Sequence, residues 1–292
     1  MRRTLSIMTL VLLMLGSSGC GYAVSIGPRL EVGPMEEFQE EIPREGVEEA
    51  RIEIRFGAGE ITLAAGDPTL LFSGQFRTNV SEWTPEVSWR NEILRIEQGQ
   101  DEEITVGIPG SGAKNEWDLQ FSPEVPLDMD VEIGASRGEL DLTGLALTRL
   151  SLQTGASDLV VQFGAPSPVQ MDDLSIQAGA ANLRVEGIGN ANPDRVTVRG
   201  GAGSLNLDLS GAWTRSARMT IESGVGSLTL RLPENVGLRV EVAEGLGSVE
   251  ADEGLTRSGD AYVNEAYGET DVELLIEITV GVGNVELQSV GE

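Results

Sequence analysis

An apolar-x-apolar-x-x-Gly-x-small-x-apolar-x-apolar frame recurs eight times along the chain, and a repeat of this kind dictates architecture before anything else in the sequence does. The copies read IEIRFGAGEITL from Ile52, VEIGASRGELDL from Val131, LSLQTGASDLVV from Leu150, LSIQAGAANLRV from Leu174, VTVRGGAGSLNL from Val196, MTIESGVGSLTL from Met219, VEVAEGLGSVEA from Val240 and IEITVGVGNVEL from Ile276. Within one copy Val196 and Val198 share one strand face, and Leu205 and Leu207 share one face of a second strand. Both pairs are expected to face a core, yet they sit at odd offsets before the central glycine and even offsets after it. A corner must therefore absorb a one-residue slip. It carries Gly57, Gly155, Gly179, Gly201, Gly224, Gly245 and Gly281, with Ser136 as the exception. Glycine there offers positive φ and room for a stacked neighbour. Successive corners from Ser136 to Gly245 are 19, 24, 22, 23 and 21 residues apart, too short for two strands and a helix. The expected fold is all-β: a single-chain β-solenoid of about eight short two-strand repeats, with coils roughly 4.8 Å apart stacking aliphatic rows.

Residues 1–20 read as a signal peptide, with a basic MRR start, an apolar TLSIMTLVLLMLG run and a small-residue SSGC site. Cys20, the only cysteine, is the expected lipidation point; plain secretion and an uncleaved anchor are the alternatives, the apolar run being short for a span. Each version puts the body outside the cytoplasm. Residues 21–50 read as an acidic tether in which Glu36–Ala50 has the only helical signal beyond the leader. Residues 51–128 hold the first repeat and an aromatic-rich antiparallel β insertion or cap, and residues 129–292 hold the remaining repeats with an insertion at 252–271.

Charge and composition exclude several functions. Net charge is −27, and loss of Arg2 and Arg3 with the leader takes it to −29, so nucleic acid is not an expected partner. With no histidine, and with Cys20 committed to the leader, the usual zinc ligands, the Ser-His-Asp constellation and thiol nucleophiles are absent. No acidic run has the spacing of a calcium loop, and GGAGS lacks the lysine and following helix of a phosphate cradle, so neither metal nor cofactor is expected. Two carboxylates, Glu139 and Asp158, are expected on adjacent coils in a ladder continuing as Asn182, Ser204, Ser227 and Ser248. Stacked pairs Glu241 with Glu277 and Glu250 with Glu286 would repel, with Arg239, Arg257 or a divalent ion as relief. Trp83, Trp89 and Trp117 are candidates for stacking on sugar rings, and Tyr262, Asn264 and Tyr267 for a protein contact; sealing the ends of the stack is the competing role for the aromatics.

WDLQFSPEVPLDMDVEIGASRGELDLTGLALTRLSLQTGAS, GNANPDRVTVRGGAGSLNLDLSGAW and AYVNEAYG together resemble the bacterial toast-rack domain of unknown function, related to LiaF-type envelope-response and adhesin-like domains. The resemblance spans roughly residues 45–290. It implies a β-solenoid-like fold on the extracytoplasmic side, often in a lipoprotein, and supplies no catalytic residue. The combined expectation is a non-enzymatic envelope lipoprotein acting in interaction, adhesion or sensing, membrane-bound through its lipid and contacting an envelope protein or a cell-surface glycan. The alternative is a β-helix that binds or cleaves polysaccharide with acids on adjacent coils.

Overall fold

A computed structural model describes residues 31–99 and 112–291. In chain order its strands are β1 (Glu36–Pro43), β2 (Ala50–Ala65), β3 (Leu70–Thr78), β4 (Pro85–Arg90), β5 (Ile93–Gln98), β6 (Asn115–Phe121), β7 (Leu127–Asp141), β8 (Leu147–Gln162) and β9 (Met171–Glu186). A four-residue helix α1 (Ile188–Ala191) comes next. Then come β10 (Pro193–Asp208), β11 (Ala217–Pro233), β12 (Gly237–Ala251), β13 (Thr256–Ser258), β14 (Ala261–Val263) and β15 (Glu273–Val290). All belong to one sheet whose main path runs β1-β3-β6-β2-β7-β8-β9-β10-β11-β15-β12-β14-β13.

Each repeat forms one continuous strand of 15 to 18 residues, not two short ones. The ladder explains why. Val196 and Val198 pair with Met219 and Ile221, and Leu205 and Leu207 pair with Leu228 and Leu230, so pairing keeps one register on both sides of the corner. The burial parity nevertheless switches there, as the sequence requires. Both arms feed one core. The row Ile52, Met129, Leu150, Leu174, Val196, Met219, Ile276 and Val240 crosses eight strands with every member buried.

This row corrects the frame of the second copy, which starts at Met129 and not at Val131. Gly134 then takes the corner in place of Ser136, and the first spacing becomes 155 − 134 = 21 residues. No copy lacks the glycine. The reason for the glycine is space: a Cβ on Gly224 would lie 2.4 Å from the Gly201 carbonyl oxygen, and one on Gly201 would lie 2.6 Å from that of Gly179. Positive φ belongs instead to the second small residue, as at Gly226 with φ 144°.

Chain order and stacking order differ at the C-terminal end. β15 lies between β11 and β12, so the last strand of the sequence is not the last coil. Inward positions account for this: Ile276, Ile278, Val285 and Leu287 of β15 are all large and buried, whereas β12 ends on Val249 and an exposed Ala251. The insertion at 252–271 supplies β13 and β14, which close only the first arm of β12 through Arg239–Glu241.

At the other end, β5 runs parallel to the first arm of β2 and β6 to its second arm, so the two together form a split coil. Antiparallel β4, β3 and β1 complete the expected cap. Part of the expected tether is thereby corrected: Glu36–Pro43 is not helical but an edge strand, with Phe38 and Ile42 packed on the core and acids toward solvent. Charged edges of this kind resist unwanted pairing. Cys20, the leader and residues 21–30 lie outside the described residues.

Candidate functional site

The corrected frame rearranges the acidic ladder. Asp158 sits beside Arg137, while Glu139 sits beside Val160 and Thr62, so Glu139 and Asp158 are not neighbours. The row containing Asp158 instead runs Glu37, Arg77, Glu116, Glu60, Arg137, Asp158, Asn182, Ser204, Ser227, Asn284 and Ser248 across eleven strands. Acids and bases interleave at its start. Arg77 holds Glu116 at 3.0 Å and Glu37 at 3.5 Å. Farther along, the Ser204 hydroxyl donates to Asn182 Oδ1 at 2.8 Å and the Ser248 hydroxyl to Asn284 Oδ1 at 3.2 Å. The expected Glu139–Asp158 pair is thus absent, and the row is one of mixed charge, in which Glu116 and Glu60 are lateral partners between Arg77 and Arg137, followed by neutral amide–hydroxyl links.

An open cleft of about 440 Å³ lies over the start of this row, lined by Glu60, Lys114, Glu116, Ser136, Arg137 and Asp158 among others. Three acids face two bases. The Ser136 hydroxyl oxygen is shielded from solvent and has no hydrogen-bond partner among the described residues; it occupies the small-residue position where Gly59 and Ser157 flank it. Neither Glu60, Glu116 nor Arg137 was singled out by sequence reasoning. Starting the second copy at Met129 would have found Arg137, because that frame alone leaves no corner without glycine.

The aromatic candidates divide. Trp117 is buried at 2% exposure, its ring edge-on to Phe56 and Phe76 at centroid distances of 4.9 and 5.2 Å, and its indole N–H donates to Asn115 Oδ1 at 3.0 Å. It seals the core and cannot stack on a sugar. Asn115 in turn donates to the Ala58 carbonyl, and Gln98 Oε1 accepts from the backbone N–H groups of Gly57 and Ala58. Two side chains thus finish the glycine column at its N-terminal end. Trp83 and Trp89 are half-buried in the cap, Trp89 against the core.

Tyr262 is half-buried against the core, with the Arg257 guanidinium 5.9 Å from its ring centroid. Asn264 is structural: its Oδ1 accepts from the Leu238 N–H at 2.8 Å and its Nδ2 donates to the Val236 carbonyl at 2.7 Å, replacing a strand partner for β12. Tyr267 is half-buried in the following turn, where its N–H donates to the Asn264 carbonyl. The structure therefore gathers these three residues, but around the first arm of β12. Glu241 and Glu277 stack as expected, as do Glu250 and Glu286. Arg239 relieves the first pair, contacting Glu241 at 2.7 Å, and this hydrogen bond raises the arginine's own pKa; Arg257 is turned to Tyr262 instead.

Elsewhere, the Arg95 guanidinium, 2.7 Å from Glu53, holds that carboxyl below the usual glutamate range, with Arg51 and Arg55 adding and burial opposing. Among the described residues no group of three or more His, Cys, Asp or Glu could hold a metal ion. No helix among them is long and apolar enough to cross a membrane.

No curated protein is detectably similar to the chain. Solved structures similar to it include one described as a "putative cell adhesion protein" from Clostridium sporogenes, at 21% identity with 88% of this chain and all of that one covered and a TM-score of 0.48. Another is a "putative adhesin" from Bacteroides fragilis, at 11% identity with 90% and 100% covered and a TM-score of 0.40. The sequence profile of the N-terminal domain of toast_rack, DUF2154, matches residues 31–186 and again 168–231. That double match reflects a frame that repeats through both ranges, and the chain belongs to the toast_rack family.

Proposed function

We propose that the protein is a non-enzymatic interaction scaffold on the extracytoplasmic side of a bacterial envelope, tethered by a lipid on Cys20 and serving an envelope protein or a cell-surface glycan. The observation that carries this reading is the register of the polar row. Pairing Asp158 with Arg137 separates it from Glu139, the pair on which the polysaccharide-cleaving alternative rested, and the two carboxylates that are lateral partners in this row, Glu60 and Glu116, are flanked by Arg137 and Arg77. What remains is a long sheet with polar rows keyed by backbone-to-backbone stacking, a geometry that presents surfaces and holds them still. Adhesion, the role in the names of the solved structures, is one form such a scaffold takes.

Two measurements test the reading. Metabolic labelling with a fatty acid is expected to mark the protein and to fail for Cys20→Ser; a wild type that takes up no label but stays with the membrane refutes the lipid tether. Residues 21–292 incubated with envelope polysaccharides, with and without calcium, are expected to release neither reducing ends nor unsaturated products. Turnover abolished by Glu60→Gln or Asp158→Asn would make the cleft an active site.

A further inference from the structure

The outward residue between the two small corner positions forms its own row: Ala58, Ala135, Ala156, Ala180, Ala202, Val225, Val282 and Leu246. Five alanines give way to three larger aliphatic side chains at the C-terminal end. Val225 is 55% exposed, Val282 46% and Leu246 73%. They account for three of the five large exposed hydrophobic residues among those described, and they are contiguous. Flanking glycines leave them as a bare ridge. A contiguous aliphatic patch on the surface marks a contact site more often than a scattered one does.

The ridge ends on an unpaired strand edge. β14 covers β12 only at Arg239–Glu241, and among the described residues no strand pairs with the free side of Gly245–Ala251. The inward side is unfinished too, since Val249 is only half-buried and Ala251 is exposed where β10 and β11 bury Leu at both positions and β15 buries Val285 and Leu287. An extended segment added here would continue the ladder, cover Leu246 and complete the core.

Charge selects the occupant. Glu250 stacks on Glu286, exposed Asp252 and Glu253 come directly after the strand, and neither 243–255 nor 280–290 contains a lysine or arginine. A second copy fits poorly: antiparallel self-pairing would bring the same acids together, and the opposite end of the sheet, β1, carries Glu36, Glu37, Glu40 and Glu41. Acids alone would serve to guard an edge, as on β1, but a guarded edge needs no swelling aliphatic ridge. We propose that Gly245–Ala251 with Val225, Val282 and Leu246 docks an extended segment of a cationic protein partner by strand addition, aliphatic beside Leu246 and basic beside Glu250. This deepens the scaffold reading and rests on it.

The probe is an octapeptide repeating the corner pattern with lysine at its sixth and eighth positions, set against the same peptide with glutamate there. Titration into residues 21–292 is followed by amide hydrogen exchange. The lysine peptide is expected to slow exchange over Gly245–Ala251. Leu246→Ser is expected to weaken binding about tenfold, because a leucine loses its cover. Val282→Ser should act in the same direction, and Glu250→Lys should abolish the preference for lysine over glutamate. Leu246 and Val282 are surface side chains, so folding of these variants is checked by a melt. Equal binding of both peptides, protection centred on Glu36–Pro43, or insensitivity to Leu246→Ser overturns the proposal. So does sedimentation as a dimer whose 245–251 amides are protected without peptide, which would make a second copy the occupant. These failures leave lipid labelling and absence of turnover untouched, so they are distinct from failure of the scaffold reading.

Discussion

Gly224→Ala probes the stacking that sets every neighbour relation in the sheet. A Cβ at this position meets the Gly201 carbonyl oxygen at 2.4 Å and its carbonyl carbon at 3.4 Å, so relief needs a shift of about 1 Å to restore ordinary contact. The obstructing atom is backbone, and Gly201 is itself stacked on Gly179, so no flexible side chain can move aside. Overpacking of this type costs about 1–3 kcal/mol. Stretching a ladder hydrogen bond adds about 1 kcal/mol for each bond weakened. The sum is about 2–4 kcal/mol, which lowers the melting temperature of a chain this size by about 5–15 °C. Gly226→Ala should cost more, since a φ of 144° adds backbone strain to a Cβ 1.8 Å from the Gly203 carbonyl oxygen. Between them Val225→Ala changes an exposed side chain and should stay within about 0.5 kcal/mol. The assay is thermal unfolding by circular dichroism on residues 21–292. Equal melting temperatures for Gly224→Ala, Val225→Ala and the wild type would refute the column of stacked glycines.

Asn264→Ala should destabilise by about 2 kcal/mol in urea unfolding, because it strands the Leu238 N–H and the Val236 carbonyl at a partly covered edge. Gln98→Ala should loosen the cap, speeding amide exchange at Gly57 and Ala58 while leaving Gly201 and Gly224 unchanged. Glu53, with its pKa lowered by Arg95, contributes stability that is present above its unfolded-state pKa and lost as pH falls through the lowered folded value. Arg95→Gln should therefore open a stability gap to the wild type at neutral pH that closes in acid; a gap independent of pH would assign it to packing of the arginine stem.

The repeat made the all-β solenoid readable because alternation and glycine spacing act locally, and a sequence displays local constraints directly. Met129 shows where this stops. Two frames two residues apart both satisfy alternation through Val131 and Ile133, and only the glycine at 134 distinguishes them, so the acid row was displaced. Stacking order was hidden for another reason: β15 enters between β11 and β12 through a long-range choice governed by which coil offers four full-sized inward residues. Trp117 and Asn264 were visible as unusual residues, but whether an aromatic or an amide faces a ligand or the chain's own core depends on partners far away in sequence. Val225, Val282 and Leu246 escaped notice because each is ordinary alone, and only the register joins them.

The register itself can be measured with paired cysteines, since the body from residue 21 onward has none of its own. Arg137 and Asp158 are lateral partners, while Glu139 is two residues out of step with Asp158, about 8 Å away between Cα atoms from strand spacing and rise. A disulfide does not bridge Cα atoms more than about 7 Å apart. Under mild oxidation the Arg137→Cys, Asp158→Cys pair is expected to cross-link and the Glu139→Cys, Asp158→Cys pair to remain reduced. The opposite outcome would make Glu139 and Asp158 neighbours on adjacent coils and restore the case for a polysaccharide-cleaving site at that pair.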